Sequence, residues 1–168
     1  MVTILRATTD DAAVILAIQK RAFAEEARRC GDWEIPPLTE SLEAVAGHID
    51  TATVLTARVG AQVVGSVRGL VADNVCTIRG LSVERGFEGR GIGSALLGAI
   101  EEAHPEATRF DLLTNHATAS NVRFYQRHGY HIIDLQQYSA QITLAHMGKA
   151  TGADPFCKDG PHAPVEAA

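Results

Sequence analysis

Apolar residues recur along this chain with two different periods, and the switches between them lay out the elements. "VTILRA" (residues 2–7) has the short alternation of a strand. A helical rhythm follows, with Val14, Ile15, Ile18, Ala22 and Phe23 on one face. Thr8 or Thr9, with Asp11, gives the opening signal of an approximate capping box. Gly31, Pro36 and Pro37 in "CGDWEIPPL" stop that helix, because neither residue type suits a helix interior. "TESLEAVAGHI" resumes a shorter helix, with Thr39 as the expected cap and Leu42, Val45, Ala46 and Ile49 as its apolar face. From Thr51 the period drops to two. "TATVLTARV", a turn at Gly60-Ala61, "QVVGSVRGLVA", a turn at Asp73-Asn74 and "VCTIRGLSV" read as antiparallel strands joined by tight turns. A helix is predicted from Gly91 to His104, ending before Pro105. "RFDLLTN" reads as a buried strand, "SNVRFYQRHGY" as a short helix closed by Gly129, and "HIIDLQQYS" and "AQITLAHMGKA" as two last strands.

This order predicts an α/β fold: a mixed, mostly antiparallel central sheet of about seven strands flanked by about four helices. Residues 1–150 are expected to form a single domain. From Thr151 the run "TGADPFCKDGPHAPVEAA" is rich in Pro, Gly and Ala and has no period, so residues 151–168 are expected to be a flexible tail.

Composition narrows the function without naming it. The 168 residues are 46% hydrophobic and 21% charged, an ordinary globular balance that needs no disulfide or metal to hold a core. A net charge of −5 argues against nucleic acid or an anionic membrane as the main partner, and fits a cationic one. Cys30, Cys76 and Cys157 are odd in number and widely spaced, which suits a reducing cytoplasm. The apolar run Ala12 to Ile18 is short and follows two aspartates where a signal peptide carries positive charge. Nothing approaches the ~20 apolar residues of a membrane span. The seven histidines show no metal-binding i, i+4 pair.

The chemical signal is a cluster of glycines between a strand and a helix: Gly86, Gly89, Gly91 and Gly93 in "LSVERGFEGRGIGSALL". Glycines at alternate positions let successive N–H groups turn toward one point, and the first helical amides have no partner within their helix. Such a junction holds phosphate or pyrophosphate on backbone. Arg90 adds a charge and Ser94 a hydroxyl. A Walker loop is excluded, since no lysine lies between Lys20 and Lys149. The dinucleotide fingerprint also fails, because its third glycine position falls on Ser94 or Leu96.

"EGRGIG" (residues 88–93) resembles the main motif of the GNAT superfamily of N-acetyltransferases, in which Arg or Gln is followed two residues later by Gly-x-Gly. "NVRFYQRHGY" (residues 121–130) resembles the family's second motif, and "ILRATTDDAAVI" its first strand and helix, so the likeness spans about residues 2–149. The resemblance implies acetyl-coenzyme A as co-substrate, with the backbone of Leu81 and Val83 pairing with the pantetheine arm. Amides of Gly89, Arg90, Gly91, Gly93 and Ser94 would hold the pyrophosphate. It places Tyr125 as the acid that protonates the leaving thiolate. Asn121 would bond coenzyme A or help Ser120 cap its helix. The acceptor would be an amine of a small molecule or peptide, attacking directly in a ternary complex. Its site would lie near "GDWEIPPLTES", where Trp33 and Glu34 receive it or Trp33 packs the loop on the core. No metal is implied, and a homodimer is compatible with the family.

Two features depart from the pattern. Glu88 stands where Arg or Gln is usual, and no general base is evident, Glu84, Glu88, Asp73 and His116 being the candidates. They leave open an alternative class, a non-catalytic acyl-coenzyme A sensor or interaction module on the same fold. Tyr125, Gly91 and Gly93 favour the enzyme.

Overall fold

The computed structural model describes residues 1–152. Seven strands form one sheet in the order β1-β2-β3-β4-β5-β7-β6. They are β1 (Val2–Arg6), β2 (Thr53–Val59), β3 (Gln62–Ala72), β4 (Val75–Val83), β5 (Arg109–Asn115), β6 (His131–Gln137) and β7 (Thr143–Ala150). Every neighbouring pair is antiparallel except β4 and β5. The helices are α1 (Ala12–Cys30), a four-residue α2 (Pro36–Thr39), α3 (Leu42–Thr51), α4 (Ile92–Glu102) and α5 (Ala119–Arg127).

Period-two alternation sends neighbouring residues to opposite faces of the sheet. Leu55 and Ala57 of β2 join a core with Leu96, Leu97 and Ile100 of α4. Val54, the residue just before Leu55 and so on the other face, joins Ile15 of α1 and Val45 and Ile49 of α3. The sheet is therefore sandwiched, with α4 and α5 on one face and α1 and α3 on the other. The turn residues act as the sequence suggests: Asp73 and Asn74 take φ values of 50° and 61°, the left-handed region that short polar residues tolerate.

Three local expectations need correction. The cap of α3 is Ser41, whose side chain accepts from the Ala44 amide, not Thr39. Thr39 instead ends α2, which Pro36 and Pro37 begin: proline suits the first turn of a helix, where its missing N–H is not needed. Ala22, expected on the buried face of α1, is exposed, and the buried stripe runs through Ile15, Ile18, Gln19 and Ala27. Thr151, at the start of the expected tail, is bound to the sheet through Thr108 and Ala107. The rest of that tail, with Cys157, lies outside the described residues. No described helix is long and apolar enough to cross a membrane.

Candidate active site

The one parallel pair of the sheet comes apart. β4 and β5 pair only from Val75 to Thr77 against Arg109 to Asp111. β4 continues beside β3 as far as Val83, and β5 beside β7 as far as Asn115. Each strand therefore keeps a row of backbone donors and acceptors facing a gap within the sheet. β4 also carries a bulge there. Two residues, Gly80 and Leu81, oppose the single Val67, because Arg79 pairs with Arg68 and Ser82 with Ser66. Gly80 takes φ +62°, and a Cβ on it would lie 3.3 Å from Gln19 Oε1. Glycine thus allows both the bulge and the close passage of α1.

A cavity of about 340 Å³ fills the splay. Its walls are the diverging strands, with Phe23 and Glu26 reaching in from α1 and Asn121 and Tyr125 from α5. Because α1 and α5 lie on opposite faces, these side chains meet through the gap in the sheet.

At the end of β4 the chain enters the glycine loop. Gly86, Gly89 and Gly91 have φ values of 87°, 72° and 78°, conformations that L side chains rarely adopt. Gly91 is the N-cap of α4, and its carbonyl accepts from Ala95 at 2.9 Å. Among the described residues, the amides from Gly89 to Ser94 find no backbone or side-chain acceptor. Six consecutive unpaired N–H groups at the positive end of an 11-residue helix form an anion seat. A Cβ on Gly89 or Gly91 would meet nothing within 4 Å, so the ground before these amides is open. Arg90 stacks its guanidinium over Phe87, 5.0 Å from the ring centre. Glu88 is exposed and its carboxylate accepts the Gly86 amide at 2.6 Å. The acid is therefore engaged at the start of the loop, upstream of the free amides.

Tyr125 packs edge-on against Phe124 and Tyr130, with ring centres 5.1 and 5.9 Å away. Among the described residues its hydroxyl has no hydrogen-bond partner. Burial raises its pKa above the ordinary phenol value, and the nearby Glu26 carboxylate raises it further, so the group carries its proton at neutral pH. Burial also raises the pKa of Glu26, against the opposing effects of the Asn115 amide and Arg29. Asn115 is itself fixed: it donates to Cys30 Sγ at 3.0 Å and accepts from the Ala117 amide at 3.0 Å.

A second polar cluster closes the cavity beneath the proline corner. Glu40 accepts from both Gln19 at 2.7 Å and Arg68 at 3.0 and 3.1 Å, and contacts His48 at 2.8 Å. Burial alone would raise the Glu40 pKa, but the bonds from Gln19 and Arg68 and the charge of Arg68 overcome it and hold the value below 4.5. A carboxylate depressed in the folded state adds stability that is fully present above its unfolded pKa and is lost as pH falls through the folded value. Unfolding titrations are expected to show stability falling below pH 4.5, with a shallower fall in Glu40→Gln. Identical pH profiles would show that the cluster contributes no linkage.

The structure brings most of the sequence-derived residues to one region. Leu81, Asn121 and Tyr125 line the cavity, Val83 ends its β4 wall, and Gly89, Arg90, Gly91, Gly93 and Ser94 form the loop beyond. Trp33 and Glu34 are not among the lining residues: Trp33 is 53% exposed, and Ile35, Pro36 and Pro37 line the cavity in that segment. None of the four base candidates lines it either. Glu84 is tied to Arg21, Glu88 to Gly86, Asp73 sits in a hairpin turn and His116 is exposed. Sequence reasoning passed over Glu26. Its signal was the spacing Ile15, Gln19, Phe23, Glu26, which keeps one face of α1.

Residues 50–132 match the model of the acetyltransferase (GNAT) domain, the stretch that holds the splay, the glycine loop and Tyr125. The chain belongs to the GNAT acetyltransferase family. Solved GNAT structures share its fold across most of its length. The acetyltransferase of GNAT family from Streptococcus pneumoniae is 21% identical, with a TM-score of 0.72, over 90% of this chain and 100% of that one. The paia N-acetyltransferase from Thermoplasma acidophilum, solved in complex with coenzyme A, is 14% identical, with a TM-score of 0.74, over 90% and 99%. The yncA acetyltransferase from Salmonella typhimurium, solved with acetyl-CoA, is 16% identical, with a TM-score of 0.73, over 100% and 99%. No curated protein matches this GNAT chain in sequence. Among its described residues, no three His, Cys, Asp or Glu side chains gather as a metal site.

Proposed function

We propose that this GNAT protein transfers the acetyl group of acetyl-coenzyme A to an amine by direct attack in a ternary complex. The observation that carries the reading is the continuity of two unpaired backbone surfaces, the β4 edge in the splay and the six amides from Gly89 to Ser94. An extended arm with amide groups fits the first as an added strand, and a pyrophosphate fits the second. The two solved relatives named with coenzyme A and acetyl-CoA support the match. A thioester at the far end of that arm reaches Tyr125. The amine lone pair attacks the carbonyl carbon, the C–S bond breaks, and the departing sulfur takes the phenolic proton. The nitrogen sheds the matching proton, so acetyl transfer leaves the proton count unchanged.

The experiment is an amine panel scored by free-thiol release and by mass of the acetylated product. Amine-dependent thiol release with a product of matching mass is the expected result. Tight acetyl-coenzyme A binding with no transfer to any amine would make the protein a sensor instead.

The bond from Glu88 to the Gly86 amide leads to a smaller prediction. Glu88→Gln is expected to change acetyl-coenzyme A affinity by at most ~1 kcal/mol, the scale of an exposed charge. Equilibrium titration checks it, and a larger loss would give the carboxylate a direct bond to the ligand.

A further inference from the structure

Three charged side chains line the cavity: Glu26, Arg68 and Arg79. Arg68 is already matched, since both oxygens of Glu40 accept from its Nη1. That leaves one charge of each sign, and among the described residues neither Glu26 nor Arg79 belongs to an ion pair. They occupy different walls. Glu26 has Asn115 of β5 and Tyr125 of α5 as neighbours. Arg79 stands on β4, beside Arg68 in the cross-strand register with β3. Arg29 is close enough to Glu26 to act on its charge but belongs to the same helix, outside the cavity lining. Arg79 is exposed and Glu26 half-buried, so neither needs a partner for the fold to stand, but together they offer one charge of each sign to a ligand that carries both.

We propose that the acceptor is a small amine bearing its own carboxylate, an amino acid or a very short peptide, with Glu26 receiving the ammonium end and Arg79 the carboxylate. The proposal rests on the transferase reading above and specifies its substrate. Glu26 sits on the Tyr125 side, so the ammonium end lies where the thioester ends. The ammonium first releases one proton to solvent, which frees its lone pair; the carboxylate of Glu26 then takes the second proton as the C–N bond forms, while Tyr125 gives one to the sulfur as the C–S bond breaks. Arg79, on the β4 wall, offers a planar pair of donors matched to a carboxylate.

The test compares ω-amino acids and dipeptides with their own carboxamides, pairs in which amidation leaves the amine's basicity nearly unchanged. For the wild type we expect kcat/KM at least ~10-fold higher for the carboxylate member of the preferred pair, the scale of a charge-assisted contact. Arg79→Gln is expected to bring the two members near parity, chiefly through KM. Glu26→Gln is expected to lower kcat on both members by ~10²-fold or more and leave acetyl-coenzyme A affinity unchanged by titration. Carboxamides used as well as carboxylates by the wild type, or a preference that survives Arg79→Gln, would overturn the proposal and leave the transferase reading standing. Thiol release with no amine of either kind would overturn both.

Discussion

Tyr125→Phe is expected to lower kcat by at least ~10-fold while KM for acetyl-coenzyme A stays nearly constant. Positioned acids contribute ~10²–10⁴-fold, and the lower bound allows for water protonating a thiolate unaided. The substitution keeps the ring, and with it the contacts to Phe124 and Tyr130, so folding and coenzyme binding should survive. No hydrogen bond among the described residues is lost, because the hydroxyl has none. An effect confined to kcat marks an interaction made in the transition state. Steady-state and single-turnover rates check it together. An unchanged single-turnover rate would assign Tyr125 to packing alone.

The second large effect is expected at Gly91. Val at this position meets φ +78°, a region where a β-branched residue is strained by ~1–3 kcal/mol. Its side chain would also stand in the open ground before the free amides. In the native protein, acetyl-coenzyme A at a hundredfold excess over its dissociation constant should stabilise by ~2.7 kcal/mol. Gly91→Val should melt lower and lose that ligand shift. Gly98→Ala is the control: it lies within α4, has ordinary φ, and its added Cβ meets nothing within 4 Å. It should raise stability by ~0.5–1 kcal/mol and keep the ligand shift intact. A folded Gly91→Val protein with wild-type affinity would show that the loop is only a turn.

These two residues were legible in the sequence because their signals are local. A glycine cluster between a strand pattern and a helix pattern, and an aromatic pair before a closing glycine, need no knowledge of distant contacts. The hairpin turns at Gly60-Ala61 and Asp73-Asn74 were legible for the same reason. What escaped depends on tertiary arrangement. Glu26 reads as a surface acid until the divergence of β4 from β5 leaves a gap under that face of α1. The proline corner reads as a break until Pro36 and Pro37 open a helical turn of their own, moving the cap of α3 to Ser41. Arg68 and Glu40 lie 28 residues apart, and only the fold shows that one neutralises the other.

The most direct test of the account is backbone amide hydrogen exchange with and without acetyl-coenzyme A. The account predicts new protection in two stretches: the unpaired amides from Gly89 to Ser94, and the β4 edge between Ile78 and Val83. Protection at neither stretch with saturating ligand bound would contradict it, and so would protection of the loop by ATP to the same extent.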